Sequence, residues 1–140
     1  MTTFPLSTDM TDLTDMRINL PEVLAAVTAE FDRYEKALVT NDVDTLDDFF
    51  WHSEHALRYG VGENLYGFDA IAAFRAGRPA NNLARERFNT VITTFGENMA
   101  VANTEFRREG TTKTGRQSQT WCRFADGWHI VSAHVSLLSS

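Results

Sequence analysis

From Leu24 to Leu38 the apolar side chains Leu24, Val27, Phe31, Tyr34 and Leu38 recur at spacings of 3, 4, 3 and 4. That period marks the single buried stripe of an amphipathic helix. Just before it, Asn19-Leu20-Pro21-Glu22 has the form of a capping box. Asn19 is placed to accept from first-turn amides, Pro21 is tolerated there, and Glu22 can reach back. Asn41-Asp42 ends this helix and opens a shorter one, expected from about Val43 to Trp51, with Leu46, Phe49 and Phe50 facing inward. His55 to Gly60 has the character of a short strand, and Gly62 to Gly67 that of a glycine-bounded turn or brief hairpin. A third helix is expected over Phe68 to Gly77, with Ile71, Phe74, Arg75 and Arg78 at helical spacing on one side.

The rest of the chain is strand-like. Four long strands are expected at about Ala84–Phe95, Met99–Arg108, Thr114–Phe124 and Trp128–Leu138. The last two are joined by Ala125-Asp126-Gly127, a hairpin signal because primed turns need positive φ, which glycine adopts at little cost. In the third strand one row carries Gly115, Gln117, Gln119, Trp121 and Arg123. The other carries Arg116, Ser118, Thr120, Cys122 and Phe124. Neither row is plainly solvent or plainly core, a mixture that suits a curved sheet lining a small pocket. Helices first and antiparallel strands after is the α+β order. Such a meander would curl into a cone, with the early helices on its concave face. The outer face then carries either Val131, Val135 and Leu137 or Trp128 with Ile130. A homodimer through the sheet would cover it.

With 140 residues and 43% hydrophobic content, the chain is one domain with a proper core. Residues 1–18, aperiodic and rich in threonine and aspartate, are expected to be a flexible lead-in to a domain spanning 19–140. Methionines at 10 and 16 leave the start of translation open. A net charge of −6 argues against a nucleic-acid partner, though not against a local arginine cluster in a cleft. The single cysteine, Cys122, excludes an internal disulfide and is expected to be a small strand side chain. No apolar run is long enough for a membrane span, and no secretory leader pattern opens the chain, so a cytoplasmic protein is expected.

Several blocks resemble a known family. Helix–helix–strand–helix–four strands, ending Gly-Trp-His-Ile-Val-Ser-Ala-His-Val-Ser, is similar to the nuclear transport factor 2-like superfamily of cone-shaped domains. Pro-Glu-Val-Leu (21–24), Phe-Asp-Arg-Tyr-Glu-Lys-Ala-Leu-Val-Thr-Asn-Asp (31–42), Leu-Arg-Tyr-Gly (57–60), Glu-Asn-Leu-Tyr-Gly (63–67), Ala-Phe-Arg (73–75) and Gly-Arg-Gln-Ser-Gln-Thr-Trp (115–121) resemble one small-protein family within it. Its members are associated with oxalurate catabolism and the cyanuric acid pathway. The resemblance spans residues 18 to 138. In its cyanurate branch it implies a decarboxylating amidohydrolase acting on a carboxylated urea. The implied catalytic tyrosine and arginine map onto Tyr34 and Arg58.

Read without the family, the residues point to acid–base and anion-anchoring chemistry. A buried arginine stays charged and grips carboxylate with two parallel hydrogen bonds. A hydroxyl beside such a fixed cation is a better proton donor. Tyr34 is either that donor or a core tyrosine bonded to backbone, and Arg58 either the anchor or a solvated strand residue. Asn64 and Tyr66, next to the strand carrying Arg58, are candidates to bond the urea carbonyl. Gln117 and Gln119 share one strand face, either in the pocket or as a polar dimer-facing stripe. His134 is a second proton shuttle or a satisfied core histidine. Arg75 is expected toward the pocket as a second anchor, Arg78 toward the surface.

His52, His55, His129 and His134 lack the spacing of a metal site, and no phosphate or dinucleotide fingerprint occurs, so no metal or cofactor is expected. The expected partners are a small anionic ureide-like ligand and a second copy of the chain. The alternative to an enzyme is a non-catalytic accessory subunit presenting such a ligand to a partner amidohydrolase. An isomerase or cyclase of polyketide type would need paired acids or an Asp–His set that the strands do not offer.

Overall fold

The computed structural model describes residues 16–79 and 83–139. Most of the expected lead-in, residues 1–15, lies outside the described residues. Helix α1 runs Pro21–Val39 and α2 Val43–Phe49. The short strands β1 (Leu57–Tyr59) and β2 (Asn64–Tyr66) precede α3 (Phe68–Ala76). The long strands β3 (Arg85–Phe95), β4 (Met99–Arg108), β5 (Gly115–Phe124) and β6 (Gly127–Leu137) complete the chain.

The α1 stripe packs as its period requires, with Val27, Phe31, Tyr34 and Leu38 buried together with Ala37. The capping box does not form. The N-cap is Leu20, without a side-chain cap. Asn19 instead holds φ 56° and pairs with β3: its backbone N–H donates to the Thr94 carbonyl at 3.1 Å, and its Oδ1 accepts from the Thr94 N–H at 2.9 Å. An Asn side chain that can complete an edge-strand ladder satisfies two buried strand groups, whereas a helix end facing water can be capped by solvent. The chain is already attached at Arg17, whose carbonyl accepts from the Gly96 N–H at 2.9 Å. Helix α2 has a true cap, with Asp42 accepting from the Thr45 N–H and from its hydroxyl.

One six-stranded sheet has the order β2-β1-β6-β5-β4-β3. All neighbours are antiparallel except β1 and β6, which run parallel with Arg58 opposite Ala133. The concave face carries Ala100, Ala102, Trp121, Ile130 and Ala133, and the rings of Phe31, Phe49 and Phe50 share their cluster. Small alanines on β4 leave room for those rings, which keeps the core dense.

Two irregularities decide which side chains face the helices. One lies in β3 between Phe88 and Val91, where Asn89 has φ 52°. The other separates Thr120/Ser132 from Trp121/Ile130 in the β5–β6 pairing. An extra residue reverses the parity of everything beyond it. Neither expected outer row therefore survives whole. Trp128 and Ile130 face the helices, Val131 faces out, and past the bulge Ala133 and Val135 turn inward. Val91 and Met99 remain largely exposed on the outer face.

Gly115 is buried because Phe106 lies across it. A Cβ built there would sit 2.2 Å from the Phe106 ring. Gly115→Ala is expected to cost about 1–3 kcal/mol by overpacking, read as a lower midpoint in denaturant. It is also expected to tilt the ring that supports Arg85.

Candidate functional site

Under α1 and α3, at the end of the cone away from the β3–β4 and β5–β6 turns, the concave face does not close with apolar side chains. It leaves a cavity of about 30 Å³ lined by Tyr34, Leu38, Arg58, Arg75, Arg78, Arg85, Arg108, Gln117, Gln119, Ala133 and Val135. By the same measure a single water needs roughly 10–15 Å³, so the space suits a few waters or one carboxylate. Five of the lining side chains are guanidinium groups, and among the described residues none is acidic.

Each arginine is held by a different element. Arg85, from the start of β3, donates from Nε and Nη2 to the two Glu35 oxygens at 2.9 and 2.6 Å, and from Nη2 to Gln117 Oε1 at 3.1 Å. Arg75, on the buried side of α3 and 3% exposed, donates to Asp47 Oδ1 at 2.9 Å. Arg58, on β1, donates from Nη1 to Glu63 Oε2 at 2.9 Å. Arg78 Nη2 reaches Asn41 Oδ1 at 3.4 Å, and Arg108 Nη1 donates to the Leu83 carbonyl at 3.1 Å. Aromatic faces carry several of these cations: Arg85 lies 4.4 Å from the Phe106 centroid, Arg75 5.1 Å from Phe50 and Arg58 5.5 Å from Phe74. Such contacts offset part of the desolvation cost of a buried cation.

The charges still repel. Burial lowers the pKa of Arg78, and the Arg75 charge lowers it further, with Tyr34 opposing. Arg108 is lowered by burial first and then by Arg85, its direct cross-strand neighbour. Like charges directly opposite on a sheet are destabilising, and an anion placed between them would relieve that repulsion.

Of the residues singled out in the sequence, Tyr34, Arg58, Arg75, Gln117 and Gln119 come together around this cavity. Tyr34 is 4% exposed, edge-on to Phe49 at 5.7 Å. Gln117 and Gln119 point under the helices and not to a dimer face. Arg78 also lines the cavity, against the expectation that it sits at the surface. Asn64, Tyr66 and His134 do not line it. On β2 the alternation turns Leu65 toward the core and leaves Asn64 and Tyr66 exposed. Tyr66 packs instead against Tyr59, whose hydrogen bond raises the Tyr66 pKa. The β6 bulge sends His134 to the outer face, edge-on to Tyr59 at 5.6 Å. Arg85 and Arg108 were missed by the sequence reading, because their facing depends on the β3 bulge and on a register that alternation alone does not reveal.

The other histidines are engaged separately. His52 bonds the Asp47 carbonyl and lies against Phe68, and His129 bonds Asp126 and the Asp48 carbonyl. Among the described residues, no three His, Cys, Asp or Glu side chains are grouped to hold a metal. No helix among them is long and apolar enough to cross a membrane.

Gly60 shapes one edge of the site. A Cβ there would fall 1.6 Å from Glu63 Oε2 and 2.9 Å from Arg58 Nη1. Gly60→Ala is expected to push the flexible Glu63 carboxylate off Arg58 while costing less than about 1 kcal/mol, as for partly exposed ion pairs. Released from its competitor, Arg58 is expected to bind a carboxylate ligand several-fold more tightly, as titration calorimetry would show.

A helix-covered curved sheet with a polar hollow defines the nuclear transport factor 2-like, cystatin-like class of α+β cones. The chain belongs to the AtzH-like family, which it matches over residues 16–140. It is 59% identical to a protein of unknown function of the DUF3225 family from Pectobacterium atrosepticum, with 89% of this chain and 99% of that one covered at a TM-score of 0.87. A cystatin-like fold protein from Burkholderia xenovorans is 44% identical, covering 89% and 98% at 0.86. A nuclear transport factor 2-like superfamily protein from Salmonella enterica, at 22% identity, coverage of 85% and 93% and a TM-score of 0.68, shares the fold. No protein of curated function matches.

Proposed function

We propose that this protein is a cofactor-free decarboxylating amidohydrolase acting on a small carboxylated urea or ureide in nitrogen-compound catabolism. The observation that carries this reading is the meeting of Tyr34 with five arginines around one cavity that has no acidic lining residue among the described residues. Arginines of this kind hold carboxylate and carbonyl oxygens in planar, paired hydrogen bonds. Tyr34 is the lining group that can give up a proton.

In the decarboxylation step the bond between nitrogen and the carboxylate carbon breaks. Its electron pair stays on nitrogen, carbon dioxide leaves, and nitrogen takes the Tyr34 proton, which water later restores. A cation on the departing carboxylate would favour the ground state, because that charge disappears. The arginines accelerate the step only where they face charge moving onto the urea nitrogen and oxygen. Arg58 and Arg75 are assigned as the anchors, and Gln117 and Gln119 as contacts to carbonyl oxygen.

The test is to supply purified protein with a carboxylated urea and follow carbon dioxide and ammonia. Release of neither would overturn the proposal. A second reading is supported by the lack, among the described residues, of a lining carboxylate or imidazole to serve as a base: an anion-binding accessory subunit of an amidohydrolase. Tight binding without turnover, with co-purification of such a partner, would favour it.

We also propose that two copies pair through the outer sheet face, whose exposed Val91 and Met99 would otherwise meet water. Light scattering is expected to give twice the chain mass at micromolar concentration. A stable monomer would contradict it.

A further inference from the structure

The two buried glutamines have their amide orientations dictated by their neighbours. Trp121 Nε1 donates to Gln119 Oε1 at 3.1 Å. An indole N–H can only donate, so the atom facing it must be the carbonyl oxygen, and the alternative flip of Gln119 would set two donors against each other. Arg85 Nη2 likewise donates to Gln117 Oε1 at 3.1 Å, and a guanidinium also only donates. Each carbonyl end is therefore taken, and the amino end remains for the cavity. Gln117 Nε2 is buried without a partner, as is Arg75 Nε, in side chains 4% and 3% exposed.

Orphaned buried donors of this kind are costly and call for an acceptor. The arginines add only donors, and each glutamine oxygen already has one of its two lone pairs occupied, so the lining is rich in donors and poor in acceptors, Tyr34 being the main one.

From this geometry we infer that Gln117 and Gln119, locked by Arg85 and Trp121, make the cavity a receptor dominated by donors. It selects compact anions whose oxygens are all acceptors and discriminates against ligands that present an amide N–H to the glutamine wall. The inference rests on the anion-site part of the proposed function and adds the polarity rule that sets its specificity. It also fixes how a carboxylated urea must enter: oxygens toward the glutamines, and the nitrogen to be protonated toward Tyr34.

Pyruvate and oxamate test this directly. Both are monoanions of similar shape with adjacent carboxylate and carbonyl, but oxamate carries an amino group where pyruvate has a methyl. An amide N–H buried without an acceptor costs about 1–3 kcal/mol, so once Tyr34→Phe removes the acceptor that could take the oxamate amino group, pyruvate is expected to bind about 5- to 150-fold more tightly than oxamate by calorimetry. Adding Trp121→Phe frees the Gln119 amide to flip and is expected to narrow that ratio several-fold while pyruvate affinity changes little. Should the Trp121→Phe protein fail to fold, Gln119→Met is expected to weaken pyruvate about 5- to 30-fold through loss of a donor. Equal binding of the two anions by Tyr34→Phe, binding of neither, or an unchanged ratio on adding Trp121→Phe and unchanged affinity in Gln119→Met would overturn the inference. Turnover is measured separately. Selectivity without turnover would leave the inference standing and remove the enzymatic reading, and turnover without selectivity would do the reverse.

Discussion

Tyr34→Phe is expected to slow carbon dioxide release from a carboxylated urea by about 10²- to 10⁴-fold, the usual contribution of a positioned proton donor. The substitution removes one oxygen and keeps the ring. The edge-on contact to Phe49 at 5.7 Å and the tilted contact to Phe50 at 6.4 Å are retained, so the thermal midpoint should move by only a few degrees. The loss should fall on kcat more than on KM, because the arginines that hold the anion are untouched. Turnover at the wild-type rate would remove Tyr34 from the mechanism and leave the cavity as a receptor. A fall in kcat with a collapse in stability would instead mark Tyr34 as a core residue.

Trp121→Ala carries the largest expected cost in stability, about 3–5 kcal/mol for a large aromatic emptied from a packed core. Trp121 is fully buried, lies edge-on to Phe49 at 5.7 Å and belongs to the cluster that joins α1, α2 and the sheet. Its truncation leaves a void and also deprives Gln119 Oε1 of its donor, so a desolvation cost adds to the lost packing. Urea denaturation followed by circular dichroism measures the change. A loss below about 1 kcal/mol would mean that the surrounding rings collapse into the space, contrary to a core already filled. Trp121→Phe should recover most of the packing and none of the hydrogen bond, which separates the two contributions.

Much of the fold was legible because its periods are unambiguous. The 3-4-3-4 stripe of α1 and the Ala-Asp-Gly hairpin each depend on local chemistry, and both formed, although the turn is not primed: Ala125 and Asp126 keep negative φ and Gly127 takes φ 126° as the first residue of β6. The α+β order and the cone followed from the sequence of elements. Asn19 was misread because a residue before a helix has two uses, and only the proximity of Thr94 decides between them. The candidate site was legible where strands run regularly: Gln117 and Gln119 lie on the Trp121 row and share its burial. It failed beyond irregularities. Bulges in β3 and β6 set the facing of Arg85 and His134, and a bulge leaves little trace in a hydrophobic pattern. Asn64 and Tyr66 were misplaced for a different reason: three-residue strands are too short for alternation to name a face.

The kink in the last strand has an evolutionary consequence. Threaded without it, the same residues would turn Ser132 and His134 toward the hollow and Ala133 and Val135 toward water, since a one-residue slip exchanges the two faces. An imidazole would then stand where aliphatic carbon now insulates the cations. Two different linings for the hollow are thus written on one segment, and gaining or losing a single residue at the irregularity would exchange them while the remaining side chains stay as they are.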